Sequence, residues 1–379
     1  MTVTVLDDRL VYDLDGIGAQ YDALLRELPD VRVRFALKAC PVDDVLRFLA
    51  GRGSGVDAAG PQEITQALRA GVPAGRIHYG NTVKSDRNIA DAHRLGIRDF
   101  ATDTVEDVRA VAAHAPGARV FCRLATTGEG ALWGLSEKFG CDPDDAVRVL
   151  AEARELGLAP AGLSVHVGSQ QMSADAWQDA FADLAETLVA LRRHGIVLDH
   201  VNLGGGLPAL GYADRYGTPL DPPLDKIFAV LRDGMRRLRD LHGEPLAFVV
   251  EPGRHLVADH GTVHAQVVRM SRRRGPGGED RHWLYLSVGR FNGLYETDAL
   301  QYPLVFPGTD PGAARVLARV AGPTCDSDDA FPGLVSVPKG LRSGDPVLVR
   351  SSGAYAASYM TRGFNGIAPL PHHCVGGPA

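Results

Sequence analysis

The sequence predicts an α/β protein: a (β/α)8 TIM-like barrel followed by a second, mainly antiparallel β domain. Three observations lead there. Between about residues 30 and 255, short β-rich runs alternate with amphipathic helical stretches, the cadence of parallel strands joined by crossover helices. Eight such units fit into that span, which points to a closed barrel, with a doubly wound sheet as the competing arrangement. After about residue 258 the texture changes to longer runs that alternate apolar with polar residues and lack regular helical partners.

The eight strand ends are VRFALK (33–38), SGVDAA (54–59), RIHYG (76–80), IRDFAT (97–102), ARVFCRLA (118–125), GLSVHVG (162–168), DHVNLGGG (199–206) and LAFVVEPG (246–253). Helical segments separate them. In PQEITQALRAG, Pro61 suits a first helical position, Ile64, Ala67 and Leu68 share a face, and Gly71 stops the helix. In DTVEDVRAVAAHAP, Asp103 or Thr104 caps the helix and Glu106 offers a capping-box acid. The later β runs are GTVHAQVVRMS, HWLYLSVG, ARVLARVAG and DPVLVRSSGAY. The opening TVTVLDDRLVYDLD adds a strand to them and feeds the barrel through a helix at about 16–28, while the HHCVGGPA tail is expected to be loose. The expected boundaries are 14–257 for the barrel, with 1–13 and 258–379 forming the β domain.

Composition narrows the function classes. The 379 residues are 45% hydrophobic and carry 46 acidic against 40 basic side chains, a formal charge of -6 that argues against a nucleic-acid partner and favours a cationic substrate. Five scattered cysteines without a CxxC pair fit neither a disulfide framework nor a structural zinc site, and fit a reducing compartment. An acidic start and the lack of any run of 18 apolar residues lead to the expectation of a cytoplasmic protein with no membrane partner.

The residues that interrupt the pattern fall at strand ends, which a barrel gathers into one mouth: Lys38, Arg123, His166, Gly204 to Gly206, and Glu251 to Arg254. Taken singly, each has two readings. Lys38 is a solvent-facing strand residue or a functional amine. The glycines are a ligand-free turn or a cradle of N–H groups for a phosphate, with Arg254 nearby. Glu251 is a solvated loop acid or a carboxylate aimed into the mouth, and His166 a core residue, a ring packed on a cofactor or a proton shuttle. Asp57 and Arg123 are an internal ion pair or functional groups. His78, His200 and His255 show no ligand spacing, so no metal is expected. In AGPTCDSDDAFPG, Cys325 and Asp326 belong to a plain polar loop, or they are a thiol that moves a proton and an acid that recognises a cation, with Asp328 and Asp329 adding to an amine-binding surface.

FALKACP, GVDAAG, YGNTVK, CRLA, EKFG, SVHVGSQ, NLGGGLP, EPGR, GPTCDSDD and SSGAYAASYMTRGFNG occur in that order. Over residues from about 10 to 370 the chain resembles the fold-type III pyridoxal-phosphate decarboxylases of ornithine, lysine, arginine and diaminopimelate, which share their two-domain plan with alanine racemases. The resemblance implies a carbon–carbon lyase with pyridoxal 5'-phosphate (PLP) as cofactor. Lys38 matches the lysine that carries PLP covalently, Glu251 the acid that pairs with the pyridine nitrogen, and His166 the ring that stacks on it. Ser169, Gly205, Gly206, Arg254 and Tyr355 match phosphate-binding positions, and Asp57 and Arg123 supporting positions near the ring. Cys325 matches the thiol that returns a proton to the α-carbon, Asp326 the acid that holds a distal amine, and Phe364 a position near interface and pocket. In characterised members Cys325 and Asp326 have counterparts contributed by the neighbouring subunit, so a head-to-tail homodimer with shared active sites is implied.

The implied substrate is a basic amino acid, ornithine or lysine first, in polyamine biosynthesis. Cys325-Asp326 resembles the ornithine type, whereas diaminopimelate enzymes usually read Cys-Glu-Ser-x-Asp. Ser287 and Val288 stand where many relatives carry an acid, which keeps diaminopimelate, or a specialised biosynthetic amino acid or conjugate, as the alternative. A non-catalytic PLP-binding protein is the weaker reading.

Overall fold

Eight short strands close on themselves: β1 (Val31–Ala36), β2 (Gly55–Ala58), β3 (Ile77–Tyr79), β4 (Asp99–Thr102), β5 (Arg119–Arg123), β6 (Ala159–Ser164), β7 (His200–Asn202) and β8 (Ala247–Val250). All eight pairings are parallel, and the last returns to the first with Phe248 opposite Val31. That closure decides between the two arrangements open to the sequence. The computed structural model describes residues 7–134, 137–275 and 277–377. Among them, no helix is long and apolar enough to cross a membrane.

The chain groups into two units. One holds the barrel, Gly18–Pro208 with Pro222–Gly253; the other takes the chain up to Ile17, the excursion Ala209–Asp221 and everything from Arg254 onward.

Local chemistry sets the barrel helices. Pro61 opens Pro61–Arg69, which buries Ile64 and Ala67 but leaves Leu68 half-buried, and Gly71, at φ +91°, follows its end. Thr104 caps Val105–His114 by accepting from the Asp107 N–H at 3.1 Å, so the third helical position is Asp107 rather than Glu106. The Asp107 carboxylate does not reach back to the cap. It takes the ammonium of Lys84 at 2.6 Å, a lysine with no exposed side-chain surface that also donates to the Ala101 carbonyl at 2.7 Å.

The second unit is an eight-stranded, mainly antiparallel sheet built on the long strand Gly261–Arg274, which pairs with Asp280–Leu286, Pro346–Val349 and Arg9–Asp13. Asp280–Leu286 runs parallel to Arg315–Ala321, which pairs in turn with Ala330–Pro338. This last strand escapes the sequence reading because Pro332 and Gly333 interrupt its pattern. It lies at the sheet edge, where a missing N–H removes no ladder bond. The tail expectation is corrected as well. His372–Val375 forms a parallel strand on Arg9–Asp13, Leu10 facing His372, and Gly377 donates to Asp15 Oδ1 at 3.0 Å. The free edge of the N-terminal strand supplies what a short polar tail needs to become ordered.

Candidate active site

Strand β1 stops at Ala36, two residues earlier than expected, and Lys38 occupies a single 3-10 turn, Leu37–Ala39. Leu37 and Ala39 are buried, so Lys38 is the one residue of the turn directed outward, with 44% of its side chain exposed. Gly253 explains how the turn is held. A Cβ there would lie 2.8 Å from the Ala39 methyl and 3.1 Å from that of Ala36.

From Lys38 a continuous polar chain crosses the strand ends. Its Nζ donates to Asp57 Oδ2 at 2.8 Å. The other oxygen of Asp57 lies 3.2 Å from His78 Nε2, which is 2.8 Å from Glu251 Oε1. The buried Nε2–H sits between the two carboxylates and points squarely at neither. Asn202 Nδ2 donates to the same Glu251 oxygen at 2.5 Å, while Asn202 Oδ1 accepts from Gly204 N–H at 2.9 Å. Room for the Asp57 carboxylate is made by Gly80, where a Cβ would fall 1.9 Å from Oδ1.

The charges are set by these contacts. Burial would raise the Asp57 pKa, but Lys38 and then His78 hold it well below the usual carboxylate range. Burial and Arg34 oppose protonation of His78, yet the flanking carboxylates of Asp57 and Glu251 win and raise its pKa. His166, just beyond β6, goes the other way: burial, Arg123 and Lys38 push it down to about 3. Its Nδ1 accepts from Gly168 N–H at 3.1 Å, which leaves the proton of the neutral ring on Nε2. Thr126 Oγ1 donates to the His166 carbonyl at 2.6 Å. Burial lowers the Arg123 pKa against the pull of Glu251, Asp103 and Asp57, and its guanidinium lies 4.9 Å from the Phe139 ring centroid.

The histidine assignment has a measurable consequence. The unfolded imidazole titrates near 6.5 and the folded one at about 3, so across that window the unfolded chain binds a proton that the folded chain refuses. Stability therefore falls as pH drops from 6.5 toward 3. Denaturant midpoints of the cofactor-free protein should fall more steeply in the wild type than in His166→Gln; parallel curves would contradict a neutral, buried ring.

The glycine turn after β7 is tightly specified. Gly204 and Gly206 have φ of +67° and +105°, and a Cβ on either would strike the Val165 carbonyl oxygen at 2.1 Å or that of Gly168 at 2.7 Å. At Gly205 it would meet the Glu251 carbonyl oxygen at 3.0 Å and His166 Nε2 at 3.4 Å. No described residue accepts from the Gly205 or Gly206 amide. Ser169 begins a short strand, Ser169–Gln171, paired with Ala131–Trp133, and Gln170 takes the left-handed conformation at φ 53°.

A family model described as "Pyridoxal-dependent decarboxylase, pyridoxal binding domain" matches residues 14–258. The chain belongs to the pyridoxal-dependent decarboxylase family. It is 30% identical to a lysine/ornithine decarboxylase of Selenomonas ruminantium over 96% of this chain and 88% of the relative. The solved lysine/ornithine decarboxylase of Vibrio vulnificus complexed with putrescine superposes with a TM-score of 0.84 at 28% identity, covering 97% of this chain and 94% of that one. For the Selenomonas lysine decarboxylase structure the TM-score is 0.83 at 28% identity, over 97% and 92% of the two chains.

This decarboxylase uses PLP, and the barrel residues fit it. An outward amine, an acid whose Oε1 faces both Asn202 and His78, a neutral ring and two amides without acceptors match its aldehyde, pyridine nitrogen, ring face and phosphate. The same atoms of Asp57, His78 and Glu251 lie within 4.8 Å of one another and would suit a cation; the Lys38 ammonium already supplies positive charge there. His78 and Asn202 are the residues the sequence reading missed. His78 shows no ligand spacing in the sequence because its partners come from other strand ends rather than from its neighbours in the chain.

In the second unit, Arg254 is buried in a bidentate pair with Glu296, both bonds 2.6 Å, and donates to Tyr212 Oη at 3.1 Å. The Tyr355 ring, whose backbone has φ 61°, lies 4.8 Å from its guanidinium carbon. Removing one member of a buried pair strands the other charge. Glu296→Ala should therefore lower unfolding stability by about 3–5 kcal/mol in urea titrations, whereas a change below about 1 kcal/mol would show that the pair is solvated.

Cys325 is exposed, and the 3-10 turn Phe364–Gly366 reaches it: Cys325 N–H donates to Asn365 Oδ1 at 2.9 Å, and Asn365 Nδ2 lies 3.4 Å from the thiol. The Phe364 ring packs at a tilt of 46° against Phe291 with centroids 4.7 Å apart. Of the three acids expected to form an amine-binding surface, Asp326 and Asp328 are exposed, but Asp329 is not available. It is buried and accepts from Arg290 N–H, Thr324 N–H and Thr324 Oγ1 at 2.7 to 3.0 Å, which makes it the internal brace of the loop. Ser287 is likewise spent within the sheet, donating to Asp8 at 2.8 Å, and Val288 is buried.

Proposed function

We propose that the protein decarboxylates a basic L-amino acid, ornithine or lysine first, to the diamine and carbon dioxide, as a head-to-tail homodimer in polyamine biosynthesis. The observation that carries this reading is an exposed thiol, Cys325, fixed through Asn365 next to the exposed carboxylate of Asp326, whose Oδ1 accepts from Asp328 N–H at 2.8 Å. When bound, PLP supplies the electron sink for the pair left behind as carbon dioxide departs. Lys38 would hold the cofactor through its amine, with Asp57 holding its Nζ. Glu251 would keep the pyridine nitrogen protonated; His78 and Asn202 flank its Oε1. His166 would offer an uncharged face, and Gly205, Gly206 and Ser169 would bind phosphate. Cys325 donates a proton to the α-carbon and Asp326 accepts the distal ammonium, both in the site of the second copy.

Diaminopimelate or a specialised amino acid is the second reading. It is favoured by a segment, Ser287 to Arg290, that offers no carboxylate for a distal ammonium and ends in a guanidinium instead. Purified holoenzyme incubated with ornithine, lysine, arginine, diaminopimelate or 2,4-diaminobutyrate should release carbon dioxide fastest with the first two. Turnover confined to diaminopimelate would replace the leading substrate. Shared sites are tested by mixing Lys38→Ala with Cys325→Ala: random exchange should restore about a quarter of wild-type activity, and no recovery would argue for sites built from single chains.

A further inference from the structure

Where the barrel strands begin, at the end opposite Lys38, a polar cavity of about 940 Å³ opens within the barrel unit. Barrel interiors are ordinarily filled by layers of branched apolar side chains. Here five arginines and three carboxylates line the space instead.

Most of that charge is internally matched. Arg119 binds Asp99 at 2.7 Å and both oxygens of Asp199 at 2.8 and 3.0 Å. Asp199 also holds His200 Nδ1 at 2.9 Å. Arg98 donates to the carbonyls of His93 and Ile97, and Arg239 pairs with Asp30 at 3.3 Å outside the cavity lining. Two guanidinium groups and the exposed Glu244 carboxylate remain. Arg32 makes no hydrogen bond or ion pair with any described residue. Arg34 reaches Asp99 through one nitrogen at 3.3 Å, while its Nη1 is buried with no hydrogen-bond partner.

The strand geometry puts these two on the same face. In β1 Val31, Val33 and Phe35 are buried, whereas Arg32 and Arg34 alternate with them. Side chains two apart on a strand are separated by roughly 7 Å, close enough for two guanidinium groups to converge on one anion. A buried guanidinium N–H without an acceptor is costly, and the lining carries more positive than negative charge in a protein whose overall charge is -6.

We propose that this cavity is a binding site for a phosphate group, with Arg32 and Arg34 as its ligands. Arginine matches a phosphate with parallel N–H bonds, and the volume admits either a free phosphate ion or the phosphate end of a larger metabolite such as a nucleotide. The site is separate from the glycine turn, which lies at the other ends of the strands.

The test is isothermal titration of holoenzyme, reduced with borohydride so that its cofactor phosphate site stays filled, against inorganic phosphate, pyrophosphate and ATP in low-chloride buffer. One saturable site per chain is expected. Binding of inorganic phosphate identifies the free ion as sufficient, and binding of ATP alone identifies a nucleotide-borne phosphate. Arg32→Ala and Arg34→Met should each weaken binding by about tenfold or more. Arg32 is exposed and engages no described residue, so its variant keeps the test valid if Arg34→Met does not fold. No saturation by any of the three ligands in the millimolar range, or unchanged affinity in Arg32→Ala, would overturn the site.

Discussion

Lys38→Ala should lose decarboxylation by a factor on the order of 10⁴ and lose the visible absorbance of covalently held PLP, while remaining folded. The loss is expected to be catalytic rather than structural. Lys38 projects from a 3-10 turn whose buried residues are its neighbours Leu37 and Ala39, so truncating it opens no core cavity. The cost to Asp57 is limited because His78 still faces its second oxygen. Added small primary amines should restore part of the activity, since the missing group is an amine and its surroundings are intact. Circular dichroism distinguishes the alternatives: a folded variant retaining more than a few per cent of activity would mean that Lys38 is not the anchoring amine.

Glu251→Gln should carry the next largest effect, a fall in kcat on the order of 10²–10⁴ with a much smaller change in KM. The substitution preserves shape and an acceptor oxygen for His78 and Asn202. On the proposed reading it removes the negative charge that would keep the pyridine nitrogen protonated, and with it the driving force for accepting an electron pair. Because the lost interaction strengthens as charge develops on the ring, it should appear in kcat. Asn202→Ala, which leaves the carboxylate but frees one of its anchors, should cost less. Equal losses in the two variants would indicate that position rather than charge matters.

How much of this was readable from the chain depended on where the partners lie in sequence. The strand ends could be found one by one because each is announced locally by β-branched residues running into glycine or a polar residue; the number of repeats pointed to a barrel, but an open doubly wound sheet fitted the same pattern until the pairing of the last strand with the first was visible. Lys38, Glu251 and the glycines were found for the same reason. His78 was not, because its role exists only when β2, β3 and β8 bring Asp57 and Glu251 to either side of it. Asn202 looked like an ordinary residue of HVNL until its two bonds, one to Glu251 and one to Gly204, were visible. Asp329 was misread in the opposite direction. In sequence it belongs to an acidic run, but backbone N–H groups of Arg290 and Thr324 turn it inward. The pairing of Cys122 with Cys141, sulfurs 3.5 Å apart, was equally hidden by the loop that separates them. The tail strand depended on an edge contributed by the other end of the chain.

The central claim, that Lys38 is the covalent anchor for PLP in this decarboxylase, can be tested with unusual economy because the chain contains just five lysines: Lys38, Lys84, Lys138, Lys226 and Lys339. Borohydride reduction of the holoenzyme followed by peptide mapping by mass spectrometry should place the cofactor on Lys38 at close to one per chain. A reduced adduct on any of the other four, or persistence of the adduct in Lys38→Ala, would contradict it.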